Sequence, residues 1–443
     1  MSGAARTDQT STEQTTAETT VEFDEATAAQ ISDEDIERDR RALGRMFASR
    51  TREYFSTATA ENIRNFANSY GDDNPLYCDP VYGRATRWGG QIAPPIASAI
   101  LNAPLLGERP ARELRGGSYR GIHSFVSGGT WEWYRPVRPG DTLYSFEGLD
   151  SVETKPSKFA GRSVLRTRKV VKINQDADVV GVYRELVIFA ERGTARKKGK
   201  YSDVPEPSYS DDDIAEIDAR YAAERRRGAE PRYWEDVEVG EALPPLTKGP
   251  LTTRDIIVFH AGGYGFAPFG LWTSRLDHDN RERIPAFYVD NEQGIPDVAQ
   301  RVHWDANWAR AVGIPRPYDY GVLRECWFHH YLTDWIGDDG WVVRQHDEIR
   351  RFNYHGDWHA ASGEVIGKRH EDGLTLVDVE VRLTNQRGED TTIGDATLSL
   401  PSRDHGPALL PTPPAELRRS AYRMLQRHGE LERDGTEPPI VTE

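Results

Sequence analysis

Cysteine is almost absent from this chain of 443 residues. The two cysteines, Cys78 and Cys326, lie far apart, and neither belongs to a spacing that is typical of metal ligands. A disulfide framework is therefore excluded as the organising principle, and so little cysteine fits a reducing compartment. We expect a cytoplasmic location and no metal site.

Long apolar runs are missing too. No stretch of about 18 apolar residues occurs, so the sequence predicts no transmembrane helix and no membrane as a partner. The polar N-terminus also lacks the apolar segment of a secretory signal. Positive charge is in deficit, with a formal net charge of -15 at pH 7. Because phosphate backbones repel such a surface, we do not expect nucleic acid as a partner.

Composition divides the chain into tails, domains and a linker. The first residues are rich in Thr, Glu and Gln, which cannot bury enough apolar surface to fold, and a helical pattern begins at Asp33. One helix is predicted near the C-terminus, from about Ala415 to His428. The predicted parts are a disordered tail (1–40), an N-terminal domain (41–200), a linker with an amphipathic helix (201–232), a C-terminal domain (233–402) and a polar tail (403–443).

An internal repeat relates the two domains. The offset between matching segments rises from 194 to 226 residues between the first two matches, so the second copy carries 32 inserted residues at about 267–300. A repeat in conserved order indicates one structural module that occurs twice. Four segments match in the same order: 66–72 with 260–266, 77–84 with 303–310, 140–141 with 356–357, and 174–175 with 385–386.

Each copy predicts a helix that precedes several strands. The longer apolar helix is expected over 96–106 in the first copy and over Gly321–Ile336 in the second. Alternating apolar and polar residues then predict strands such as 163–173 and 374–385. Antiparallel strands wrapped on a central helix give an α+β fold.

The segment Tyr70-Gly71-Asp72-Asp73-Asn74-Pro75-Leu76-Tyr77 is the sharpest local motif. With the repeat and the order of helix and strands, it resembles the MaoC-like, (R)-specific enoyl-CoA hydratase family, whose motif reads roughly Tyr-x-x-Gly-Asp-x-Asn-Pro-Leu-His. The resemblance extends over about residues 40–402. It implies a tandem double hotdog, in which two antiparallel sheets, each wrapped on a central helix, join as an intramolecular pseudo-dimer.

The resemblance also implies the chemistry. Members of the family add water to a 2-enoyl thioester, or remove it from a 3-hydroxyacyl thioester, with an Asp and a His that hold the water. A backbone N–H at the start of the central helix polarises the thioester oxygen, a task that suits a helix N-terminus. Coenzyme A would then be part of the substrate, and no separate cofactor is expected. A homodimer of double hotdogs is a further expectation.

The first copy matches the family motif in its acidic part. Asp72 and Asn74 stand at the family's Asp and Asn positions, while Tyr77 stands at the His position. A tyrosine is a poor base near pH 7. The central helix there begins with Pro94 and Pro95, which have no N–H to donate.

The second copy matches the complementary part. His303 stands at the family's His position and Gly321 at the helix-start position, whereas Phe266 occupies the Asp position. Asp297, six residues before His303, is a candidate to return a carboxylate to the site. The remaining candidates, which would line the substrate pocket, are His260, Tyr264 and Tyr320.

Simpler interpretations of these residues stay open. Asp72 and Asn74 could cap a turn, as Asp and Asn commonly do. Tyr77 could be a packed aromatic residue and His303 a core histidine. Two other functions are also compatible with the fold, because fold does not determine function: a hotdog thioesterase, and a non-catalytic protein that binds acyl thioesters.

Overall fold

The computed structural model describes residues 30–108, 110–114, 119, 122–157, 161–191, 204–265 and 271–436. Within these residues the strands form one large antiparallel sheet and one small hairpin. The hairpin pairs β7 (Tyr288–Asp290) with β8 (Pro296–Val298). The ten described strands of the large sheet are β1 (Met46–Ala48), β2 (His123–Trp133), β3 (Leu143–Ser157), β4 (Gly161–Asn174), β5 (Val179–Ala190), β6 (Ala242–Lys248), β9 (Trp341–Ile349), β10 (His359–Glu371), β11 (Leu374–Asn385) and β12 (Asp390–Ser399).

The two halves of the chain contribute equally to the large sheet. Its strand order is β1-β3-β4-β5-β2-β9-β12-β11-β10-β6. When the strands of each half are counted along the chain, the first lies at the edge of the sheet, the third, fourth and fifth follow, and the second lies at the centre. The halves meet where β2 pairs with β9, from Gly128 opposite Glu348 to Glu132 opposite Arg344. The predicted α+β class, with antiparallel strands from both copies, is confirmed.

A glycine allows the halves to approach at this junction. Gly128 has a φ of +120°, and a Cβ on it would lie 2.1 Å from the carbonyl oxygen of Asp347. The register of β2 shifts next to it, between Val126 and Gly129. Only a residue without a side chain fits both the backbone conformation and the contact.

Helices precede and follow the strands in each half. Their starts are commonly capped: the side chain of Thr59 accepts from the N–H of Asn62, and that of Ser210 from the N–H of Asp213. The described α-helices are α1 (Asp33–Ala42), α2 (Ala60–Ser69), α3 (Pro75–Cys78), α4 (Pro80–Arg84), α5 (Asp211–Ala223), α6 (Thr253–Ala261), α7 (Ser274–Arg283), α8 (Ala306–Ala311), α9 (Gly321–Ile336) and α10 (Ala415–Arg433).

Helix α9 is the predicted central helix of the second half, and it is buried on almost every side. Fourteen of its 16 residues are buried. Its polar side chains therefore need partners inside the protein, and the first half supplies some of them. The carboxyl group of Glu325 accepts hydrogen bonds from the indole N–H of Trp131 at 2.9 Å and from the hydroxyl of Tyr183 at 2.7 Å.

The predicted central helix of the first half, over 96–106, is wrong. A 3-10 helix spans Pro95–Ile100 only, and the chain then becomes extended. The N–H of Asn102 bonds to the carbonyl oxygen of Phe55, and the N–H of Ala103 to that of Leu143. Because these backbone groups bond to Phe55 and to Leu143 of β3, they are not available to continue a helix.

The predicted tails also differ from the structure. The prediction of a disordered tail is wrong for residues 33–40, which belong to α1. Residues 1–29 lie outside the described residues. The predicted C-terminal helix is confirmed as α10, which continues to Arg433. It packs against the first half, where the N–H of Leu106 donates to the buried ring of His428 at 3.0 Å. No helix among the described residues is long and apolar enough to cross a membrane.

The burial of Glu325 predicts a pH dependence of stability. Desolvation raises the pKa of Glu325 to about 7, so the folded state holds a proton that the unfolded state releases near pH 4.5. The contribution of this group to stability is therefore complete below about pH 4.5 and is lost as the pH rises toward 7. Relative to Glu325→Gln, the wild-type free energy of unfolding should fall by on the order of 2–3 kcal/mol over that interval. Denaturant unfolding of both proteins from pH 4.5 to 8 checks this, and a pH-independent difference would contradict it.

Candidate active site

Five of the residues predicted from the second copy lie together at the start of α9. Tyr320 precedes the helix and packs at the centre of the group. Its ring centroid is 3.9 Å from that of His303, 5.1 Å from that of Tyr264 and 5.3 Å from that of His260. Gly321 follows Tyr320 as the first helical residue. Segments around residues 260, 303 and 320 thus meet at one helix N-terminus.

The hydrogen bonds around Tyr320 allow one consistent assignment of donors and acceptors. His260 Nδ1 lies 2.8 Å from the carbonyl oxygen of Tyr264, which only accepts, so Nδ1 carries the ring proton. His260 Nε2 is then an acceptor, and the Tyr320 hydroxyl at 3.0 Å donates to it. The same hydroxyl oxygen accepts from Nε2 of Gln300 at 2.7 Å.

A glycine makes room for the imidazole ring of His260. Gly265 has a φ of +87°, and a Cβ on it would lie 2.7 Å from Cε1 of His260. A side chain at this position would strain the backbone and push the ring away from Tyr320. The turn after α6 therefore fixes the position of His260.

His303 is held in its neutral form. Its Nδ1 lies 2.8 Å from the carbonyl oxygen of Tyr318, so Nδ1 carries the proton and Nε2 carries the lone pair. Part of the residue remains accessible, but the surrounding protein desolvates the ring and lowers the pKa of His303 to about 4. The histidine is therefore a proton acceptor at neutral pH.

Gly321 places the start of α9 close to side chains from both halves. A Cβ on it would lie 2.9 Å from Cδ1 of Ile349 and 3.3 Å from Cγ1 of Val126, which belongs to β2 of the first half. The first N–H groups of a helix have no acceptor within the helix, and they form the positive end of its dipole. Such a position can stabilise negative charge on a bound oxygen.

Asp72, predicted from the first copy, lies in a different cluster that is closed to solvent. Its side chain is fully buried. One carboxylate oxygen accepts from the N–H of Asn74 at 3.0 Å, and the other from the hydroxyl of Tyr70 at 3.2 Å. Desolvation raises the pKa of Asp72, and the neighbouring His330 opposes that shift.

The second half supplies the remaining neighbours of Asp72. Lys248 Nζ donates to the carbonyl oxygen of Tyr70 at 3.0 Å and to Nδ1 of His330 at 2.7 Å. His330 Nε2 then carries the ring proton and lies 3.3 Å from a carboxylate oxygen of Asp334 and 3.8 Å from Asp72. This cluster joins the halves, and its polar groups are largely occupied by one another.

The other first-copy candidates make structural contacts. The side chain of Asn74 accepts from the N–H of Leu76 at 3.0 Å and so caps α3. Tyr77 is buried, and desolvation raises its pKa well above the ordinary value. Asp72 and Asn74 therefore make contacts that stabilise a turn, whereas Tyr77 is packed in the interior.

Asp297 does not join the group around His303. It lies in β8, where its carboxylate accepts from the N–H of Val298 at 2.7 Å. Within the part of the chain that the structure describes, no hydrogen bond or ion pair connects Asp297 with His303. Phe266, at the family's Asp position, lies outside the described residues.

Gln300 is the neighbour of Tyr320 that the sequence analysis missed. It lies in the 3-10 helix Ala299–His303, three residues before His303. Because residues three apart lie above one another in a 3-10 helix, the spacing could have identified it.

No three His, Cys, Asp or Glu side chains among the described residues are grouped to bind a metal ion.

Comparisons with known proteins agree with the fold. Residues 19–181 match the FAS1-like, dehydratase domain region. A UPF0336 protein of Streptomyces avermitilis is 29% identical over 136 residues, which cover 29% of this chain and 81% of that protein. A UPF0336 protein of Streptomyces coelicolor is 28% identical with the same coverage. The solved structure of a MaoC-like dehydratase is 17% identical, covers 81% of this chain and 98% of its own, and has a TM-score of 0.52.

The environment of His303 predicts its titration. With its pKa lowered to about 4, the ring should stay neutral from pH 5 to 8, whereas an exposed histidine would gain a proton near pH 6.5. Ring-proton chemical shifts of the histidines, assigned with a His303→Gln variant, measure this directly. A midpoint for His303 between 6 and 7 would contradict the assigned burial and hydrogen bonding.

Proposed function

We propose that this chain is a MaoC-like hotdog dehydratase, which adds water to a 2-enoyl thioester and removes it from the 3-hydroxyacyl thioester; the match of residues 19–181 to the FAS1-like dehydratase region and the similar fold of a MaoC-like dehydratase support this. One observation carries the proposal: a histidine held neutral, His303, lies beside the start of a buried helix. Tyr320 connects them, since its ring packs 3.9 Å from His303 and it directly precedes Gly321. A proton acceptor and a site for developing negative charge are the two elements that the reaction needs.

The chemistry follows from these two elements. In the hydration direction, His303 Nε2 takes a proton from water while the water oxygen bonds to C3 of the enoyl group. Negative charge develops on the thioester oxygen, where the N–H groups at Gly321 and Val322 would stabilise it. The proton then moves to C2, which completes the addition of one water molecule. A low histidine pKa favours this last transfer, because a weakly basic imidazole gives its proton back readily.

The second half carries the reaction in this proposal, and the first half completes the substrate pocket. Val126 of β2 reaches the start of α9. Phe125, in the same strand, packs with its centroid 5.9 Å from that of Phe352, which in turn lies 4.7 Å from Tyr318 beside His303. These aromatic contacts support an apolar binding surface for the acyl chain that is formed by both halves.

We infer that the two halves take the place of two subunits. The shared strand order and the pairing of β2 with β9 support this arrangement. The first half has lost the reacting elements: Asp72 lies in a closed cluster, and the helix that would start with an N–H donor is a 3-10 helix that begins at Pro95. We further propose that coenzyme A carries the acyl group, so that the thioester substrate needs no separate cofactor.

A pair of variants tests which half is catalytic. His303→Gln removes the proton acceptor, and we expect kcat for hydration of a 2-enoyl-CoA panel to fall by about 10²- to 10⁴-fold. Asp72→Asn keeps the shape of the closed cluster in the first half, and we expect turnover within a few fold of wild type with reduced stability. The loss of enoyl-thioester absorbance measures both. Retained turnover in His303→Gln with loss in Asp72→Asn would place the reaction in the first half.

The products of the wild-type protein distinguish the alternative functions. Hydration gives a 3-hydroxyacyl thioester and no free thiol. Release of free thiol would instead show a thioesterase, and binding without turnover across chain lengths would show a non-catalytic protein.

A further inference from the structure

We infer that Gln300 is a positioning residue whose Oε1 and the Nε2 of His303 together hold the reacting water, so that an amide takes the place of the carboxylate that the second copy lacks. The inference rests on the proposed hydration. It starts from a juxtaposition at the start of α9: Gln300 donates to the Tyr320 hydroxyl at 2.7 Å, and the ring of His303 packs 3.9 Å from that of Tyr320.

The orientation of the Gln300 amide follows from its neighbours. The carbonyl oxygen of Tyr264 fixes the proton of His260 on Nδ1, and His260 Nε2 then takes the hydroxyl proton of Tyr320. The Tyr320 oxygen can only accept from the third member, so Gln300 presents its NH2 group to it at 2.7 Å. Oε1 must point the other way.

Oε1 of Gln300 is buried and has no hydrogen-bond partner within the described residues. A buried acceptor without a partner costs about 1–3 kcal/mol, and native proteins seldom leave one unsatisfied. The three bonded groups Tyr264, His260 and Tyr320 prevent the amide from turning to satisfy it. A hydrogen-bond donor that enters the site would supply the missing partner.

Water supplies two hydrogens, and the site offers two acceptors. His303 Nδ1 is bound to the carbonyl oxygen of Tyr318, which leaves the lone pair on Nε2. One hydrogen of the water would point to His303 and the other to Gln300. The oxygen lone pairs of the water are then free to bond to C3 of the substrate.

An amide and a carboxylate perform this task differently. Both accept a hydrogen, but the amide neither carries charge nor takes a proton in this pH range. The proton transfers then belong to His303 alone, and Gln300 only orients the water. The 3-10 helix Ala299–His303 supports this division, since it places the two side chains three residues apart on one side.

Two substitutions separate water positioning from support of Tyr320. Gln300→Met keeps the size of the side chain and removes the acceptor, so kcat should fall by about 10- to 100-fold with KM within about threefold. Gln300→Glu keeps an acceptor for the water in both of its ionisation states, as a carbonyl oxygen when protonated and as a carboxylate when ionised, so turnover should persist across this ionisation. A role that only supports Tyr320 needs the donor that the amide supplies. In that case turnover would be lost as the carboxyl group ionises.

Gln345→Met is the matched control. Gln345 is a fully buried glutamine in β9, where it bonds to the backbone of Glu325 at 3.0 Å and lies outside this site. This variant should lose stability but keep the wild-type kcat. Thermal unfolding of all variants confirms that each is folded during the assay.

The outcomes distinguish this inference from the function on which it rests. If wild type hydrates an enoyl-CoA and Gln300→Met has an unchanged kcat, the role of Gln300 is wrong and the hydratase proposal stands. If kcat falls in Gln300→Met and Gln300→Glu loses turnover as its carboxyl group ionises, Gln300 supports Tyr320 and the water assignment is wrong. If folded wild type turns over no enoyl thioester, both proposals fail.

Discussion

The burial of helix α9 is the constraint on which the rest of the structure depends. A helix with 14 of 16 residues buried cannot satisfy its own polar side chains from solvent. Glu325 accepts hydrogen bonds from Trp131 and Tyr183. His330 accepts one from Lys248, beside the turn that contains Asp72. Two of these contacts cross from one half of the chain to the other. The halves are therefore joined by buried polar contacts as well as by the pairing of β2 with β9.

The same constraint explains the division between the two clusters. In the middle of α9, Glu325 is paired with the first half, and His330 lies 3.8 Å from the buried carboxylate of Asp72. The start of α9 is different, because the first N–H groups of a helix have no acceptors within it. There, hydrogen bonds to carbonyl oxygens fix the proton positions of His260 and His303. One end of the helix is thus available for chemistry, while its centre stabilises the fold.

The sequence predicted the features that depend on periodicity and repetition. The limits of α9 and strands such as β11 follow from apolar patterns. It also identified most of the group around Tyr320, because matching the copies aligned His303 with the His position of the family motif, and Gly321 stands at the start of the predicted helix. The failures have a common cause, which is tertiary competition for backbone and side-chain bonds. Leu101 pairs with Phe55 and Ala103 with Tyr144 of β3, so these residues do not continue a helix. The carboxylate of Asp297 bonds within its own hairpin, away from His303. The spacing of three residues before His303 could have identified Gln300 as a neighbour, but the orientation of its amide follows only from the hydrogen bonds in the structure.

The most direct test of this account is a crystal structure of the protein with a bound 3-hydroxyacyl-CoA. The account predicts that the thioester oxygen lies within hydrogen-bond distance of the N–H of Gly321. It also predicts that the 3-hydroxyl group lies between His303 Nε2 and Gln300 Oε1, where the reacting water would be. An acyl group bound next to Asp72, with the start of α9 unoccupied, would contradict it.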